Sequence, residues 1–463
     1  MDRDIFLNLS PLDHRYYLSN EALFNELAEY FSENAYIRYE LKVEAALVRV
    51  LAKRGLCSQE VADEIDQACR EIDPAEVYLE EEKTKHNIRA LVNCVQRRVS
   101  ATAKPFVHFT VTSVDIMDSA NAMRFKEATE KVVLPKMLEL EAILISIARR
   151  EKGTIQVGRT HGQHAVPITF GFAMAEYVSR FGARIQNVAK TAGDLRGKIS
   201  GAVGAYNASS LFFDDPFEFE AEVLWELGLK QANYSNQIVE PEYLTDYIHA
   251  IISSFGVLAN LADDIRHLQR TEIGEVGEAF EATQVGSSTM PHKRNPWNFE
   301  HIKSMWKEFM PRMITLYADQ ISEHQRDLTN SASGRFVPEI VIGFVAAVER
   351  LNRVLQKLVV DKERMKHNFE STKEMVIAEP MYILLASLNH PDAHEAVRLL
   401  TLEAQKTGKT LRELLVKKPE LLPYLEKLTP KQRDILEDPR KYTGWAEQKA
   451  EQVCSHWEKQ LFV

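Results

Sequence analysis

Four long stretches with a helical repeat of apolar residues constrain the fold of this chain more than any other feature. They run over residues 114–152, 170–196, 242–270 and 297 to about 323. Each is far longer than the ~11-residue helix of an average globular domain, and no β-rich segment separates them. Pro135 predicts a kink in the first stretch. The pattern therefore predicts an all-α fold built around an elongated central helical bundle.

The segments on either side of these stretches have shorter repeats and predict smaller helical domains. Ser32 to Arg54 predicts one amphipathic helix, which Gly55 ends. After about Val360 the helical patterns shorten, and connections rich in proline and lysine separate them. We predict an N-terminal domain at 1–108, a central domain at 109–360 and a C-terminal domain at 361–463. Short extended stretches at 154–157 and 198–203 predict small hairpins at the ends of the bundle.

Bulk composition narrows the class of protein. The chain has 463 residues, 45% of them hydrophobic and 27% charged, as in ordinary globular proteins. A net charge of −10 argues against a general nucleic-acid or membrane-surface binder, which needs a broad basic face. The four scattered cysteines form no Cys-x-x-Cys pair, and the first residues lack a signal pattern, so we expect a reducing cytosol. A slender bundle exposes more apolar surface than one chain can cover, which predicts an obligate oligomer.

The segment Gly286 to Pro296, GSSTMPHKRNP, has the residue types of a charge-stabilising loop. Asn295 as N-cap and Pro296 at the first helical position predict the start of a helix. Lys293, Arg294 and the positive helix end are suited to stabilising negative charge that builds on a carboxylate. The alternative is an ordinary surface turn with solvated cations.

A second candidate segment, Arg159 to His164, lies between an extended stretch and a helix. Histidine is the natural proton donor near neutral pH, so His161 is a candidate acid for a leaving group. Two alternatives stay open. In one, His161 is a helix-capping or core histidine. In the other, His161 and His164 bind a metal ion, and such a site would need further ligands.

A third segment, His108 to Asp115, predicts a helix start. Thr112 and Asp115 have the spacing of a capping box, which leaves Ser113 and free backbone amides at a positive helix end. A carboxylate or phosphate would be held well there, although capping alone also explains the pair. Lys85-His86-Asn87 follows an acidic run and in isolation predicts a solvated turn.

Together these segments resemble the fumarase/aspartase superfamily and, within it, the adenylosuccinate lyase family. The matching motifs are GSSTMPHKRNP, GRTHGQHAVPIT and the TSVD that follows His108. Members break a C–N or C–O bond and release fumarate. The resemblance implies a fumarase/aspartase-like fold, a homotetramer with shared active sites in the cytoplasm, and no metal or organic cofactor. The substrate it implies is a succinylated purine nucleotide, without nucleic acid or membrane as a partner.

The resemblance also implies catalytic roles. His161 is implied as the general acid that protonates the departing nitrogen, and Glu300 as the carboxylate that orients it. Ser287 matches the base that takes the proton next to a carboxylate. Because a serine hydroxyl is a poor base, Lys293 and loop amides must stabilise its alkoxide. Lys293 and Asn295 would stabilise the resulting dianionic carboxylate.

Further matching positions are implied as substrate contacts: Arg15, Tyr16, His86, Asn87, His108, Thr112, Ser113, Thr160, Gln237, Ser288, Met290, Asn295, Arg326, Ser331 and Arg335. Arg15, Tyr16, Ser331 and Arg335 match phosphate ligands, and Arg326 matches a ligand of the succinyl group. Arginine forks suit both kinds of oxygen.

Two positions depart from the family pattern. Asn87 replaces an aspartate and Asn236 replaces a threonine. The implied reactions are cleavage of adenylosuccinate to AMP and fumarate and cleavage of the succinylated aminoimidazole carboxamide ribotide. Argininosuccinate lyase and carboxymuconate cycloisomerase share the signature segment closely and are rival identifications. A structural protein recruited from the superfamily is a rival from another class.

Overall fold

The computed structural model describes residues 5–280, 289–290 and 292–462. Its helices, in chain order, are α1 (Arg15–Ser19), α2 (Glu21–Phe31), α3 (Glu33–Lys53), α4 (Gln59–Glu71), α5 (Pro74–Thr84), α6 (Asn87–Arg98), α7 (Ser113–Ala128), α8 (Leu134–Arg150), α9 (Phe170–Gly193), α10 (Pro216–Glu226), α11 (Glu242–Leu268), α12 (Trp297–Phe309), α13 (Met313–Ala318), α14 (Ser333–Leu355), α15 (Lys362–Glu370), α16 (Lys373–Val376), α17 (Ala378–Ser387), α18 (Ala393–Thr407), α19 (Leu411–Leu415), α20 (Leu422–Leu425), α21 (Pro430–Glu437) and α22 (Ala446–Phe462). The prediction of an all-α protein is confirmed.

Short strands and tight turns complete the described chain. The strands are β1 (Ile155–Thr160), β2 (Gln163–Thr169), β3 (Arg196–Gly197), β4 (Lys230–Gln231), β5 (Val276–Gly277) and β6 (Val359–Val360). They pair two by two: β1 with β2 and β5 with β6 antiparallel, and β3 with β4 parallel. Short 3-10 helices lie at Ile5–Leu7, Pro11–Asp13, Lys104–Phe106, Ser209–Leu211, Met310–Arg312 and Pro439–Lys441, and a π-helical turn at Thr129–Val133.

The described residues form two compact units. The first comprises those within Met1–Leu138, Arg184–Gly256 and Ser304–Glu349. The second comprises those within Glu139–Ala183, Val257–Lys303 and Arg350–Val463. The division into three consecutive domains stays a prediction.

Helix α3 is the central helix of the first unit and packs against α2, α4, α7 and α10. Ser32 caps its start by accepting the backbone N–H of Ala35 at 3.1 Å, and Gly55 follows its end with φ of 76°. The predicted helix from Ser32 to Arg54 is therefore confirmed to within one residue at each end. Thirteen of its 21 residues are buried, and two of them, Glu40 and Glu44, are carboxylic acids.

The long helical stretches are confirmed with two local corrections. In the first, the backbone N–H of Leu134 bonds to the carbonyl of Thr129, and the resulting π-helical turn ends at Val133, two residues before Pro135. This turn is the local irregularity that a proline without an N–H requires. The last stretch is not one helix to residue 323, because Pro311 interrupts it. The chain forms α12, a 3-10 turn and α13, and helical structure ends at Ala318.

Helices α17 to α21 enclose a core of their own in the second unit. Ile377, Met381, Leu385, Leu400 and Leu411 are among its buried side chains. The predicted change to shorter helices after Val360 is confirmed, although the chain returns to a 17-residue helix at α22.

Helix α11 is the one described helix that is long and apolar enough to cross a membrane by length and composition. Inside the protein, 67% of its apolar window is buried. A core helix has the same properties.

A buried carboxylic acid without a partner gives the second unit a pH-dependent stability. Both side-chain oxygens of Glu141, on α8, are buried and have no hydrogen-bond partner among the described residues. Burial raises the pKa of Glu141 to about 9. The folded protein therefore holds this proton up to that pH, whereas the unfolded chain loses it near the ordinary value of 4.5. The free energy of unfolding falls as the pH rises between the two values.

Replacing Glu141 by glutamine should remove this pH-dependent loss of stability. We expect Glu141→Gln to unfold at nearly the wild-type denaturant concentration at pH 5. At pH 8 the variant should be more stable than wild type, by on the order of 1–3 kcal/mol. The exposed Glu420, replaced by glutamine, is the matched control and should show no such trend. Equal pH dependence in wild type and Glu141→Gln would contradict the assignment.

Candidate active site

In the first unit, the start of α7 is held by one buried carboxylate. Asp115 accepts the backbone N–H of Thr112 at 2.7 Å, which confirms the predicted capping-box contact. The same carboxylate accepts the N–H groups of Ser200 and Gly201 at 3.1 Å. It also pairs with the ammonium group of Lys198, and both side chains are fully buried. The ion pair therefore ties the loop that begins at Lys198 to the start of α7.

The two hydroxyl residues predicted to contact substrate lie at this helix end. Thr112 precedes α7 and Ser113 is its first residue, and both are partly exposed. Because Asp115 uses only the N–H of Thr112 here, the arrangement keeps a positive helix end beside two hydroxyl groups. Such an end can bind a carboxylate or a phosphate.

His108 lies just before this helix and contacts a buried glutamate. Its Nδ1 lies 2.6 Å from Oε1 of Glu44, and its backbone N–H donates to Oε2 at 3.1 Å. Burial lowers the pKa of His108, but the charge of Glu44 and the hydrogen bond to it outweigh burial and raise the pKa above the ordinary value. His108 is therefore a candidate cation.

The loop around Gln237 is fastened to α7 one turn further on. The backbone N–H of Val239 donates to Oδ2 of Asp118 at 2.9 Å. Asn236 accepts the N–H of Ile238 at 2.9 Å and so turns the chain at the partly buried Gln237. The amide at position 236, which departs from the family pattern, thus serves as a turn residue.

Asp118 also experiences the charge of Arg326. Burial raises the pKa of Asp118 to about 6, although the Val239 N–H and the charges of Lys198 and Arg326 lower it. Arg326 donates from Nε to the carbonyl of Asp327 at 2.7 Å. The first unit therefore brings Arg326, α7 and the Gln237 loop within electrostatic range of one carboxyl group.

The segment after Lys198 is not the hairpin that the sequence predicts. The extended pair here is β3 with β4, and it is parallel. A side chain at Gly204 would lie 2.0 Å from the carbonyl oxygen of Ser235, so glycine permits a close approach of two backbones. The hydroxyl groups of Ser200 and Ser235 also lie 2.7 Å apart. This glycine-rich segment, which is buried at residues 198–201, thus supports the Gln237 loop.

The Lys85-His86-Asn87 segment is a helix junction. Nδ1 of His86 accepts the backbone N–H of Arg89 at 3.3 Å and so caps α6. Asn87 donates to Sδ of Met117, on α7, at 3.7 Å. The amide that replaces the family's aspartate therefore packs against the helix that carries Thr112 and Ser113.

The four predicted phosphate ligands lie at exposed helix starts. Arg15 is exposed at the first residue of α1, and Tyr16 follows it. Ser331 and Arg335 are exposed in the turn before α14 and in its first turn. Within the described residues, no hydrogen bond joins the Arg15 side chain to Ser331 or Arg335. A common site for the four therefore stays a prediction.

In the second unit, His161 lies at the tip of a β-hairpin. Thr160 pairs with Gln163 across a two-residue turn, and His161 and Gly162 have φ of 54° and 73°. Two residues with positive φ are typical of a type I′ turn. The expectation that a strand precedes His161 is confirmed, but a second strand, not a helix, follows it. The His-Gly pair is the signal that indicates this turn. The His161 side chain is exposed.

A buried glutamate anchors the hairpin near its tip. Glu275 is fully buried and accepts two hydrogen bonds from Arg159, at 2.6 and 3.1 Å. It also accepts the amides of Gln156 and Asn368 at 2.8 and 2.9 Å. Because the bonded Arg159 lies two residues before His161, the turn extends from a fixed base. No local pattern in the sequence indicates this role of Glu275.

A second missed glutamate caps the helix after the signature segment. Glu278 accepts the backbone N–H groups of Asn298 and Phe299 at 2.8 and 3.2 Å. Burial raises the pKa of Glu278. Helix α12 begins at Trp297, so the prediction of Asn295 as N-cap and Pro296 as first helical residue is wrong. A carboxylate distant in sequence supplies the cap.

The start of α12 borders a cavity of about 820 Å³. Two groups of residues line it: Arg266, His267, Gln269, Arg270 and Thr271 on one side, and His292, Lys293, Arg294, Asn295, Pro296 and Glu300 on the other. Most of the charged groups are basic, so the cavity suits an anionic ligand. Met290 is exposed. Ser287 and Ser288 lie outside the described residues.

The predicted contact between Glu300 and His161 stays a prediction. Glu300 is exposed, and no hydrogen bond joins it to His161 among the described residues. The same residues contain no cluster of three or more histidine, cysteine, aspartate or glutamate side chains placed to hold a metal ion.

Comparisons with known proteins identify relatives along the whole chain. A family model described as lyase matches residues 14–310, and one described as adenylosuccinate lyase C-terminal matches residues 322–433. The chain is 34% identical to the adenylosuccinate lyase of Pyrococcus abyssi over 97% of its length and 98% of the relative. It is 31% identical to that of Thermotoga maritima over 85% of its length and 90% of the relative.

Solved structures show the same fold. The 3-carboxy-cis,cis-muconate lactonizing enzyme of Pseudomonas putida matches with a TM-score of 0.82 and 25% identity, over 96% of this chain and 99% of that one. The fumarate lyase of Mesorhizobium sp. BNC1 matches with a TM-score of 0.81 and 24% identity, over 93% and 97%. The predicted fumarase/aspartase-like fold is confirmed.

The buried Asp115–Lys198 pair leads to a test of stability. In Lys198→Met the carboxylate of Asp115 stays buried without its cation, so we expect a loss of about 3–5 kcal/mol in the free energy of unfolding. Lys53→Met is the matched control, because Lys53 is exposed and pairs with the partly exposed Glu222. It should lose at most about 1 kcal/mol. Chemical denaturation at fixed protein concentration measures both. Equal losses would show that the buried pair does not hold the loop to α7.

Proposed function

Because this chain belongs to the adenylosuccinate lyase family, we propose that it cleaves adenylosuccinate into AMP and fumarate. The observation that carries this proposal is the full-length similarity to curated adenylosuccinate lyases, which includes the C-terminal region at 322–433. A second substrate is the succinylated aminoimidazole carboxamide ribotide, because it presents the same succinylamino group and ribose phosphate. The enzyme is thus a C–N lyase of purine biosynthesis.

The proposed reaction is a β-elimination that uses one base and one acid. Ser287 takes the proton from Cβ of the succinyl group, and a carbanion forms next to a carboxylate. The C–N bond then breaks, its electron pair passes to nitrogen, and His161 donates a proton there. Exposure of His161 at a hairpin tip supports this role, since such a tip can enter a pocket.

The developing negative charge needs fixed cations nearby. Lys293 and Asn295 are suited to this task because both line the basic cavity at the start of α12. Glu278 supports the same place by capping α12. Glu300 is proposed as the carboxylate that orients His161 in the assembled enzyme.

The remaining groups would bind the substrate. The positive end of α7, with Thr112 and Ser113, suits a carboxylate or phosphate. Arg326 would pair with the succinyl group. The other proposed contacts are His86, Asn87, His108, Thr160, Gln237, Ser288 and Met290 along the substrate, and Arg15, Tyr16, Ser331 and Arg335 at the phosphate.

A direct assay separates this function from its rivals. Cleavage of adenylosuccinate changes the purine absorbance, so purified protein should show turnover with adenylosuccinate and none with argininosuccinate. The lactone of carboxymuconate belongs in the same comparison, because the Pseudomonas putida lactonizing enzyme has the same fold. Turnover of that lactone alone would favour the cycloisomerase. A folded protein without any turnover would favour a structural role.

We also propose a cytoplasmic homotetramer whose active sites are shared between chains. The His161 hairpin of one chain would enter a pocket that contains Ser287 of another chain. His161→Gln and Ser287→Ala should each lower kcat by about 10²–10⁴, as expected for the loss of an acid or a base. His164→Gln is the matched control in the same hairpin, since its Nδ1 already bonds to Thr372 at 2.9 Å.

Mixing the two inactive variants tests the sharing. Dissociation and reassembly should give mixed tetramers in which some sites hold an intact His161 and an intact Ser287, so activity returns. Native mass spectrometry confirms that mixed tetramers formed. Inactive mixed tetramers would contradict shared sites.

A further inference from the structure

Glu44 holds His108 at two points. One carboxylate oxygen lies 2.6 Å from the ring Nδ1, and the other accepts the His108 backbone N–H at 3.1 Å. Glu44 belongs to α3, 64 residues earlier in the chain, and its side chain is 1% exposed. The contact therefore fixes both the ring and the backbone of one residue from the core of the first unit.

The backbone at this place adopts a conformation that needs such support. His108 has φ of 61° and Thr110 has φ of 67°, both in the left-handed region. Residues with a side chain adopt this region at a cost unless surrounding contacts hold them there, and such residues cluster at functional sites. The two hydrogen bonds that His108 donates to Glu44 supply contacts of this kind. They fix the position of His108, which lies just before the start of α7.

The hydrogen bond also determines what the ring can offer a ligand. An ionised carboxylate only accepts, so Nδ1 carries a proton and donates to Glu44. Nε2 has no hydrogen-bond partner among the described residues, and the side chain is 20% exposed. If the ring is doubly protonated, Nε2–H is a cationic donor available to a ligand.

Surrounding charges favour the cationic ring. Glu44 and Asp115 raise the pKa of His108, whereas burial and Arg89 lower it, and the net direction is upward. Glu40 lies one turn before Glu44 on α3, and burial raises its pKa to about 8. At neutral pH Glu40 thus keeps its proton and adds no negative charge next to Glu44. On α4, burial and then the charge of Glu44 raise the pKa of the Cys69 thiol.

We propose that Glu44 is a positioning residue that keeps His108 as an imidazolium, whose Nε2–H binds an anionic oxygen of the substrate. This inference rests on the proposed function. The anion is a carboxylate of the succinyl group or the phosphate of the nucleotide, since both present the same kind of oxygen. A neutral histidine would bind either one less tightly.

Glu44→Gln tests the proposal because it preserves shape and removes charge. We expect KM for adenylosuccinate to rise roughly tenfold at pH 8 and less at pH 6, where a histidine without a carboxylate partner is still protonated. The value of kcat should stay within about threefold, because Glu44 does not touch the reacting atoms. Glu40→Gln is the matched control on the same helix and should leave KM unchanged at pH 7, since Glu40 is already neutral there.

Product inhibition distinguishes the two anions. Weaker binding of AMP with unchanged fumarate binding in Glu44→Gln would place the phosphate at His108, and the opposite result would place a carboxylate there. A KM ratio between variant and wild type that does not change with pH would overturn the proposal. So would a loss of kcat at unchanged KM.

Two further measurements keep the proposal independent of folding and of the proposed function. Histidine-labelled wild-type protein should show a ring at position 108 that stays protonated above pH 6.5 by NMR, with His108→Gln used to assign the signal. A neutral ring at pH 6.5 would overturn the proposal even if Glu44→Gln failed to fold. If adenylosuccinate is not cleaved at all, the proposed function is wrong. The NMR measurement of the His108 ring would still test the role of Glu44, because it needs no turnover.

Discussion

The buried ion pair between Asp115 and Lys198 is the contact on which the first unit's part of the candidate site depends. Two opposite charges without solvent exposure are costly to bury, so the carboxylate must be almost fully hydrogen-bonded. Asp115 meets this requirement with three backbone N–H groups and one ammonium group. These donors come from the start of α7 and from the loop after Lys198. The pair therefore fixes the position of two chain segments that are 83 residues apart.

Buried carboxylates serve the same purpose elsewhere in the chain. Glu44 holds His108, Glu275 holds the base of the His161 hairpin, and Glu278 caps α12. In each case an acid accepts hydrogen bonds from a segment next to a proposed site residue or from the helix that borders the basic cavity. Segments that carry proposed site residues are thus tied to helices and strands, and the side chain of His161 remains exposed. Such an arrangement gives fixed geometry without covering the site.

Local patterns in the sequence predicted most of the long helices, whereas the candidate side chains came mainly from the family resemblance and their roles stay predictions. The repeat of apolar residues predicted α3 to within a residue, and the Thr112–Asp115 spacing predicted a cap. Local patterns failed where a distant residue decides the structure. The Asn295-Pro296 sequence is typical of an N-cap followed by the first helical residue. The helix nevertheless begins at Trp297, and the carboxylate of Glu278 accepts the backbone N–H groups of its first turn. Glu44 and Lys198 have no sequence signal either, since a charged residue within a helical or glycine-rich segment is usually solvated.

The most direct test of the account is a crystal structure of the assembled enzyme with adenylosuccinate bound, in which Ser287→Ala prevents turnover. The account predicts that the ring of His161 lies within about 3 Å of the nitrogen that leaves, with position 287 facing Cβ on the same bound molecule. It also predicts substrate oxygens at the start of α7 and at Nε2 of His108. A substrate bound in a cavity that contains neither His161 nor position 287 would contradict the account.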